Sequence, residues 1–265
     1  MGTYNIATRS YMTEPVETIY PNTPLHIVNR HLAELGISCL VVVDETERPL
    51  GVVSRTDLLR VGRRRAGDTL KGPLLDFDDA VVSNIMTKRV VCVEPDDSIV
   101  LAAQGMVEHK YHRVFVTDDE RVVGVLSTRD LMAAIISRRD ESMVAEHMSR
   151  HIVTVDAHES VLRATELLEE AHIGGVIVAE DQWPVGMFTQ VEALRAADVS
   201  RDTPVEDVMD LSFVCVPAGM RTHRAAKRSL HLSTRRVIVV NKKEAVGILT
   251  GLDFARCVAA TEPRI

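Results

Sequence analysis

Four times along this chain, a methionine is followed at nearly the same interval by a glycine. The pairs are Met12 and Gly51, Met86 and Gly124, Met148 and Gly186, and Met209 and Gly247, at separations of 39, 38, 38 and 38 residues. A fixed tetrad follows each glycine after two apolar residues. It reads Ser54-Arg55-Thr56-Asp57, Ser127-Thr128-Arg129-Asp130, Thr189-Gln190-Val191-Glu192 and Thr250-Gly251-Leu252-Asp253, with a hydroxyl first and an acid fourth in every copy. Internal periodicity of this kind signals one supersecondary unit used repeatedly, each copy needing a neighbour to bury its apolar face.

The third copy shows what one unit contains. Ile152 to Val155 reads as a short strand, and Val161, Ala164, Leu167, Leu168 and Ala171 mark one helix face at 3.6-residue spacing. Gly174-Gly175 breaks that helix, Val176-Ile177-Val178 is a buried strand, and Asp181 and Pro184 suit a turn into the strand Val185 to Phe188. The tetrad then starts a second helix. The expected order is strand, helix, strand, strand, helix, an α/β class, over residues 8–62, 82–138, 144–199 and 204–262. Successive methionines lie 74, 62 and 61 residues apart, so the first interval carries an extra segment. Residues 63–81, with Gly67, Gly72, Pro73 and the acidic run Asp76-Phe77-Asp78-Asp79, are expected to be an extended linker inside the first pair.

Composition bounds the chemistry. The 265 residues are 46% apolar but only 4% aromatic, so cores must be aliphatic and base-stacking platforms are scarce. A net charge of −7 argues against nucleic acid as a partner, which calls for a basic footprint. The run Arg63-Arg64-Arg65 reads as a solvated loop. Cys39, Cys92 and Cys215 lie in or beside apolar runs, where cysteine acts as a small hydrophobe, and no C-x-x-C pair occurs. With no apolar run of membrane-spanning length and no leader-like N-terminus, the expectation is a reduced, cytoplasmic protein. No nucleophile motif, Walker A sequence or H-E-x-x-H pattern is present, and His109 and His112, at i and i+3, lead into a strand instead of sharing a helix. No enzyme activity and no metal site are expected.

Taken alone, hydroxyl-x-x-acid at a helix start is a capping box, which accounts for the tetrad without a ligand. The same place also suits phosphate, because a helix N-terminus presents free N–H groups and the positive end of its dipole. A second feature separates the copies. Twelve and eleven residues before the glycine stand His112-Arg113 in the second copy and Arg235-Arg236 in the fourth; the third has Gly174-Gly175, and the first has Ser38-Cys39 or Cys39-Leu40.

The succession of Met-Thr/Ser, strand, helix, strand and Gly-apolar-apolar-Ser/Thr-x-x-Asp-apolar resembles the cystathionine β-synthase (CBS) domain, across roughly the whole chain. Four copies are similar in layout to the nucleotide-sensing γ subunit of AMP-activated protein kinase. The resemblance implies two Bateman modules, each a pair of repeats, arranged as a pseudo-symmetric disc within the chain or as a homodimer. It implies a regulatory ligand, AMP, ADP or ATP, or else an S-adenosyl compound, whose occupancy is passed to a protein partner. It assigns ribose contacts to Asp57, Asp130 and Asp253, with Ser54, Ser127 and Thr250 toward the phosphate, and the basic pairs His112-Arg113 and Arg235-Arg236 to the phosphates themselves. Arg129 completes the second copy, the best candidate site, and Thr56 the first. Glu192, one methylene longer than Asp and without a basic pair nearby, makes the third the weakest. A ligand-free interaction scaffold is the rival reading.

Overall fold

The structure, a computed structural model, describes residues 4–66, 74–77, 80–234, 236–242 and 244–260, with the side chains of 64–66 left aside. The first copy comprises β1 (Thr18–Ile19), α1 (Leu25–Glu34), β2 (Cys39–Val43), β3 (Pro49–Ser54) and α2 (Arg55–Ala66). The second comprises β4 (Cys92–Val93), α3 (Ile99–His109), β5 (Arg113–Asp118), β6 (Arg121–Ser127) and α4 (Thr128–Ser137). A short helix, α5 (Val144–His147), precedes the third, made of β7 (Thr154–Asp156), α6 (Val161–Glu170), β8 (Gly175–Glu180), β9 (Trp183–Thr189) and α7 (Gln190–Arg195). The fourth is β10 (Val214–Pro217), α8 (Thr222–His231), β11 (Arg236–Asn241), β12 (Glu244–Thr250) and α9 (Gly251–Ala259). The fold is mixed α/β in four βαββα repeats.

Each copy forms a three-stranded sheet whose middle strand pairs parallel with the first and antiparallel with the third. A parallel first pair requires a crossover, which the intervening helix supplies. The hairpin to the third strand turns through Asp119-Glu120 in the second copy and Asp181-Gln182 in the third, all four residues at positive φ. Two left-handed residues match the twist of the flanking strands, and Asp tolerates that conformation better than most. Pro184 lies just past the turn in β9, where the register shifts between Val178 and Ala179 and the ladder is already interrupted.

The copies sort into two compact units. One holds the chain up to Val16, Val90–Ile152 and everything from Ser212 on; the other holds Glu17–Arg89 and Val153–Leu211. The first unit joins the bodies of copies 2 and 4 in one core, with Met106, Val114, Val116, Leu126, Leu131 and Ile135 packed among Val216, Val237, Val239, Leu249, Phe254 and Val258. The second joins copies 1 and 3 through Leu25, Val28, Leu32, Val42 and Leu58 with Val161, Val176, Val178, Phe188 and Leu194. Sequence neighbours therefore do not share a helical core.

What neighbours share is an exchanged segment. Thr13, opening the first copy, pairs with Val125 of the second by two backbone hydrogen bonds of 2.8 and 3.1 Å, and Thr87, opening the second, pairs with Val52 of the first at 2.9 Å in both directions. Ser149 pairs with Ile248, and Asp210 with Met187, in the same reciprocal way. Each segment thus covers the edge of a third strand whose backbone groups would otherwise stay open to stray pairing. The methionine just before it lies on the neighbour's glycine: Met12 on Gly124, Met86 on Gly51, Met148 on Gly247 and Met209 on Gly186. The interval found in the sequence is real, but the two residues that define it meet across a pair of copies, not within one.

Two further expectations change. Arg63 belongs to α2, where its guanidinium bridges Glu166, at 3.6 Å, and Glu169 on α6; the run is helical because α2 continues past the end expected for the copy. Of the expected linker, residues 67–73, 78 and 79 lie outside the described residues; Leu74, Leu75 and Ala80 are buried, Asp76 N–H donates to the Gly62 carbonyl, and Leu75 N–H to that of Ala197. Of the three cysteines expected to be buried, Cys39 is, Cys215 is half-buried and Cys92 is exposed at the outer position of the two-residue strand β4. Among the described residues, no helix is long and apolar enough to cross a membrane.

Candidate functional site

All four tetrads cap helices, and they do so in one way. In copy 2 the Asp130 carboxylate accepts from both the N–H and the O–H of Ser127, each at 2.7 Å. Asp253 does the same with Thr250, both at 2.7 Å, and Asp57 with Ser54 at 2.9 and 2.6 Å. Glu192 reaches the Thr189 N–H at 3.0 Å and its hydroxyl as well, the longer side chain still closing the box. One carboxylate oxygen, Oδ2 or Oε2, is spent on the cap in every copy.

The other oxygen distinguishes them. Arg60 approaches Asp57 Oδ1 at 3.4 Å, Arg195 approaches Glu192 Oε1 at 4.0 Å, and Arg256 pairs closely with Asp253 Oδ1. Each arginine stands three residues after its acid, on the same helix face. Position +3 from Asp130 is Ala133, so its Oδ1 meets no arginine on its own helix. Burial pushes the Asp130 carboxyl above the usual aspartate value, although the Ser127 hydrogen bonds and the charge of Arg113 pull the other way. The acid-x-x-Arg spacing of copies 1, 3 and 4 and its absence from copy 2 are plain in the sequence, but the spacing alone does not say which carboxylate oxygen an arginine takes.

Strand register places the basic pairs. Arg113 stands directly opposite Ser127 in the β5–β6 ladder, and Arg236 directly opposite Thr250 in β11–β12. The equivalent partners are Cys39 for Ser54 and Gly175 for Thr189. This register resolves the ambiguity in copy 1: Ser38-Cys39 corresponds to His112-Arg113. Backbone bonds agree, since Thr128 N–H donates to the His112 carbonyl and Arg55 N–H to that of Ser38, both at 3.0 Å. Arg235 lies outside the described residues.

Within the unit formed by copies 2 and 4, the starts of α4 and α9 approach each other. A Cβ added at Gly251 would lie 3.0 Å from Cβ of Thr128 and 3.3 Å from Nδ1 of His112, and would also meet the Thr128 hydroxyl. Glycine is needed there because a side chain from one helix start would collide with the other. His112, from copy 2, therefore stands beside the capped helix start of copy 4. Arg129 is half-buried next to Ser127, and no carboxylate pairs with it among the described residues. One unit thus gathers His112, Arg113, Ser127, Arg129, Asp130, Arg236, Thr250 and Asp253.

The unit formed by copies 1 and 3 holds Ser54, Thr56 and Asp57 and is built differently. Its helix starts are tied by a hydrogen bond of 2.8 Å from the Gln190 amide of α7 to the Thr56 hydroxyl of α2. Arg55 is buried and donates to the Leu32 carbonyl at the end of α1, at 3.0 Å. Nothing in the periodicity pointed to either contact.

These features are found together in known proteins. The family model for the CBS domain matches residues 8–64, 82–137, 144–198 and 205–260. Protein MJ1404 of Methanocaldococcus jannaschii is 25% identical over 277 residues, covering 96% of this chain and 62% of that protein, so the chain spans less than two thirds of that relative's length. MJ1225 of the same organism is 23% identical over 197 residues, 66% of this chain and 70% of that one. The crystal structure of MJ1225 overlays with a TM-score of 0.82 at 14% identity, covering 95% of this chain and 99% of that one. A Pyrococcus horikoshii protein overlays with a TM-score of 0.68 at 18% identity, over 96% and 100%. With four family matches falling on four copies of one βαββα unit, each ending in the same capped helix, the chain belongs to the CBS domain family.

Proposed function

We propose that this chain is a regulatory protein that binds an adenine nucleotide, AMP, ADP or ATP, in the unit formed by copies 2 and 4, and passes occupancy to a protein partner. The observation that carries the reading is the approach of two capped helix starts, with His112 of copy 2 beside the start of α9, Arg113 opposite Ser127 and Arg236 opposite Thr250 in their strand ladders. Phosphate oxygens suit that place, because free N–H groups, the dipole end of each helix and guanidinium forks all favour negative charge. In this reading His112, Arg113, Arg129, Arg236 and Arg235 serve the phosphates, and Ser127 and Thr250 line their approach. Asp130 and Asp253 receive the ribose hydroxyls. Asp130 binds first, since its Oδ1 is not held by an arginine of its own helix; at Asp253 a ribose has to displace Arg256. Ser54, Thr56 and Asp57 form a lesser site, short of cations and crossed by the Gln190 bond. The described relative MJ1225 has been put forward as an archaeal homolog of g-AMPK, which agrees with a sensor. A ligand shifts the protein between two states only by its difference in affinity for them, so occupancy reaches a partner through a rearrangement that begins at the helix starts.

The test is a thermal-shift titration with AMP, ADP, ATP, S-adenosylmethionine and GTP, on the parent chain and on Asp130→Ala. A ligand binding only the folded state adds about 2.7 kcal/mol at a hundredfold excess over its Kd. An adenine nucleotide is expected to stabilise the parent and to do so less in the variant. Stabilisation by S-adenosylmethionine alone would move the ligand to a sulfonium compound. No shift with any of the five would leave the tetrads as helix caps in an interaction scaffold.

A further inference from the structure

Among the described residues, helix α8 gathers a row of basic side chains that no acid on the helix offsets. Arg221, Arg224, Lys227, Arg228 and His231 fall on it or at its cap, and it contains no Asp or Glu. At about 100° per residue these five project within an arc of about 120°. Thr222, Ala225, Ala226 and Ser229, on the opposite side, are buried. Arg224, Lys227, Arg228 and His231 are all exposed. Arg221 pairs with Glu141 at 3.4 Å, but among the described residues no carboxylate pairs with Arg224, Lys227 or Arg228. The same helix in the other copies is unlike it. In α6 the acids Glu166, Glu169 and Glu170 are matched by Arg63 and Arg163; α1 balances Arg30 with Glu34, and α3 has no Arg or Lys.

We propose that this face of α8 is a docking surface for a short acidic protein segment. The row from Arg221 to His231 is about 15 Å long at 1.5 Å per residue, the reach of about three turns of a partner helix or a few extended residues. Leu232, 56% exposed at the end of the row, adds an apolar contact that pure charge pairing would not use. The rest of the chain selects against longer anions. A polymer running beyond the face would meet a protein of net charge −7, inside a screening length of about 8 Å at physiological salt. The surface also sits one helix away from the candidate site, because α8 packs along α4, which Ser127 caps and whose first turn holds Asp130. The inference does not depend on nucleotide binding; it concerns the face a partner touches.

The experiment is fluorescence anisotropy on the full chain, with a fluorescein-labelled peptide of about twelve residues built from Glu and Leu, long enough to span the row. The variants are Arg224→Gln/Lys227→Gln/Arg228→Gln and a control with the same charge change elsewhere, Arg9→Gln/Arg163→Gln/Arg195→Gln. At about 0.15 M salt the parent is expected to bind saturably, the α8 variant about tenfold more weakly, and the control within about twofold of the parent. Arg224→Glu/Lys227→Glu/Arg228→Glu is expected to reverse the preference and bind the matching Lys and Leu peptide, an outcome a merely unfolded variant cannot give. The proposal is overturned if the parent does not bind, or if both glutamine variants weaken alike. It is overturned equally if single-stranded RNA of about twenty nucleotides binds this face more tightly than the peptide, or if sedimentation shows the face occupied by a second copy of the chain.

Discussion

Replacing Gly124 with Ala should destabilise the protein, and removing Met12 should reverse the sign of that change. A Cβ at Gly124 would lie 2.9 Å from Sδ and 3.4 Å from Cγ of Met12, and 3.3 Å from the Thr13 carbonyl oxygen. The first two belong to a flexible side chain and the third to backbone that can yield by a few tenths of an ångström. The overpacking cost is therefore placed at the lower end of the usual range, about 1–2 kcal/mol. Met12 is only partly buried against the core, so Met12→Ala should cost about 1–2 kcal/mol, less than for a fully buried methionine. With Met12 shortened, the new methyl keeps only the 3.3 Å approach to the Thr13 carbonyl oxygen, which the backbone can relieve. A strand alanine then gains about 0.5–1 kcal/mol over glycine from the smaller entropy loss on folding. In the Met12→Ala background, Gly124→Ala should be neutral or stabilising. The double variant should be more stable than the sum of the singles predicts by about 1–2 kcal/mol, well beyond the roughly 0.3–0.5 kcal/mol scatter of independent sites. Urea unfolding midpoints at unchanged m-value measure this. Gly51→Ala meets Met86 and the Thr87 carbonyl instead, so its combination with Met12→Ala should be additive. Additivity for Met12 with Gly124, or coupling of Met12 with Gly51, would refute the exchanged packing.

Three other outcomes follow from the geometry. Arg63→Ala removes the partner of two half-buried glutamates on α6 and should cost about 1 kcal/mol, falling as salt is raised; equal stability at low and high salt would refute the role of the pair. Tyr4 is buried with its hydroxyl donating to Asp140 at 3.0 Å, and Tyr4→Phe should cost about 1–2 kcal/mol in thermal unfolding at neutral pH. Burial alone would raise Asp140, but hydrogen bonds from Ser142 and Tyr4 hold its carboxyl below the usual aspartate value. Its stabilisation is complete above that usual value and is lost as pH falls through the lowered one, so the gap between parent and Tyr4→Phe should narrow in acid. Asp130 runs the other way. Its raised value means that it takes up a proton at a pH where an ordinary aspartate stays ionised, so affinity at the proposed nucleotide site should begin to fall as mild acid is added, and Asp130→Asn should remove that dependence. Titration calorimetry across mildly acidic pH would decide this.

The parts of the fold legible in the sequence are those held together locally. A capping box closes within three residues, so Ser127 with Asp130 announces itself wherever α4 ends up, and the strand and helix periods follow from burial on one side. The strand register likewise turned the interval between the basic pairs and the tetrads into cross-strand neighbours. What remained hidden depends on long-range choice among equivalents. Four methionines and four glycines at one spacing cannot say which methionine meets which glycine, because every pairing satisfies the same pattern. That copies 2 and 4 share a core is a contact between helices far apart in the chain, with aliphatic faces that fit one another about equally well on paper. The Gln190 to Thr56 bond and the acid-x-x-Arg pairs involve ordinary polar residues whose partners only the fold supplies. The cationic face of α8 is present in residues 221–231, but its residues stand three and four apart, so it shows as a face only once the segment is known to be a helix.

The exchanged segments also bear on how such a chain can change over generations. Deleting one copy would strip the cover from its neighbour's strand edge and leave a methionine with no glycine beneath it. Deleting copies 1 and 2, or 3 and 4, removes both halves of an exchange but takes from each remaining copy the partner with which it shares a helical core. Copy number in a lineage built this way is penalised when it moves by one, and a move by two is tolerated only where a second pair, from another chain, closes the helical cores again.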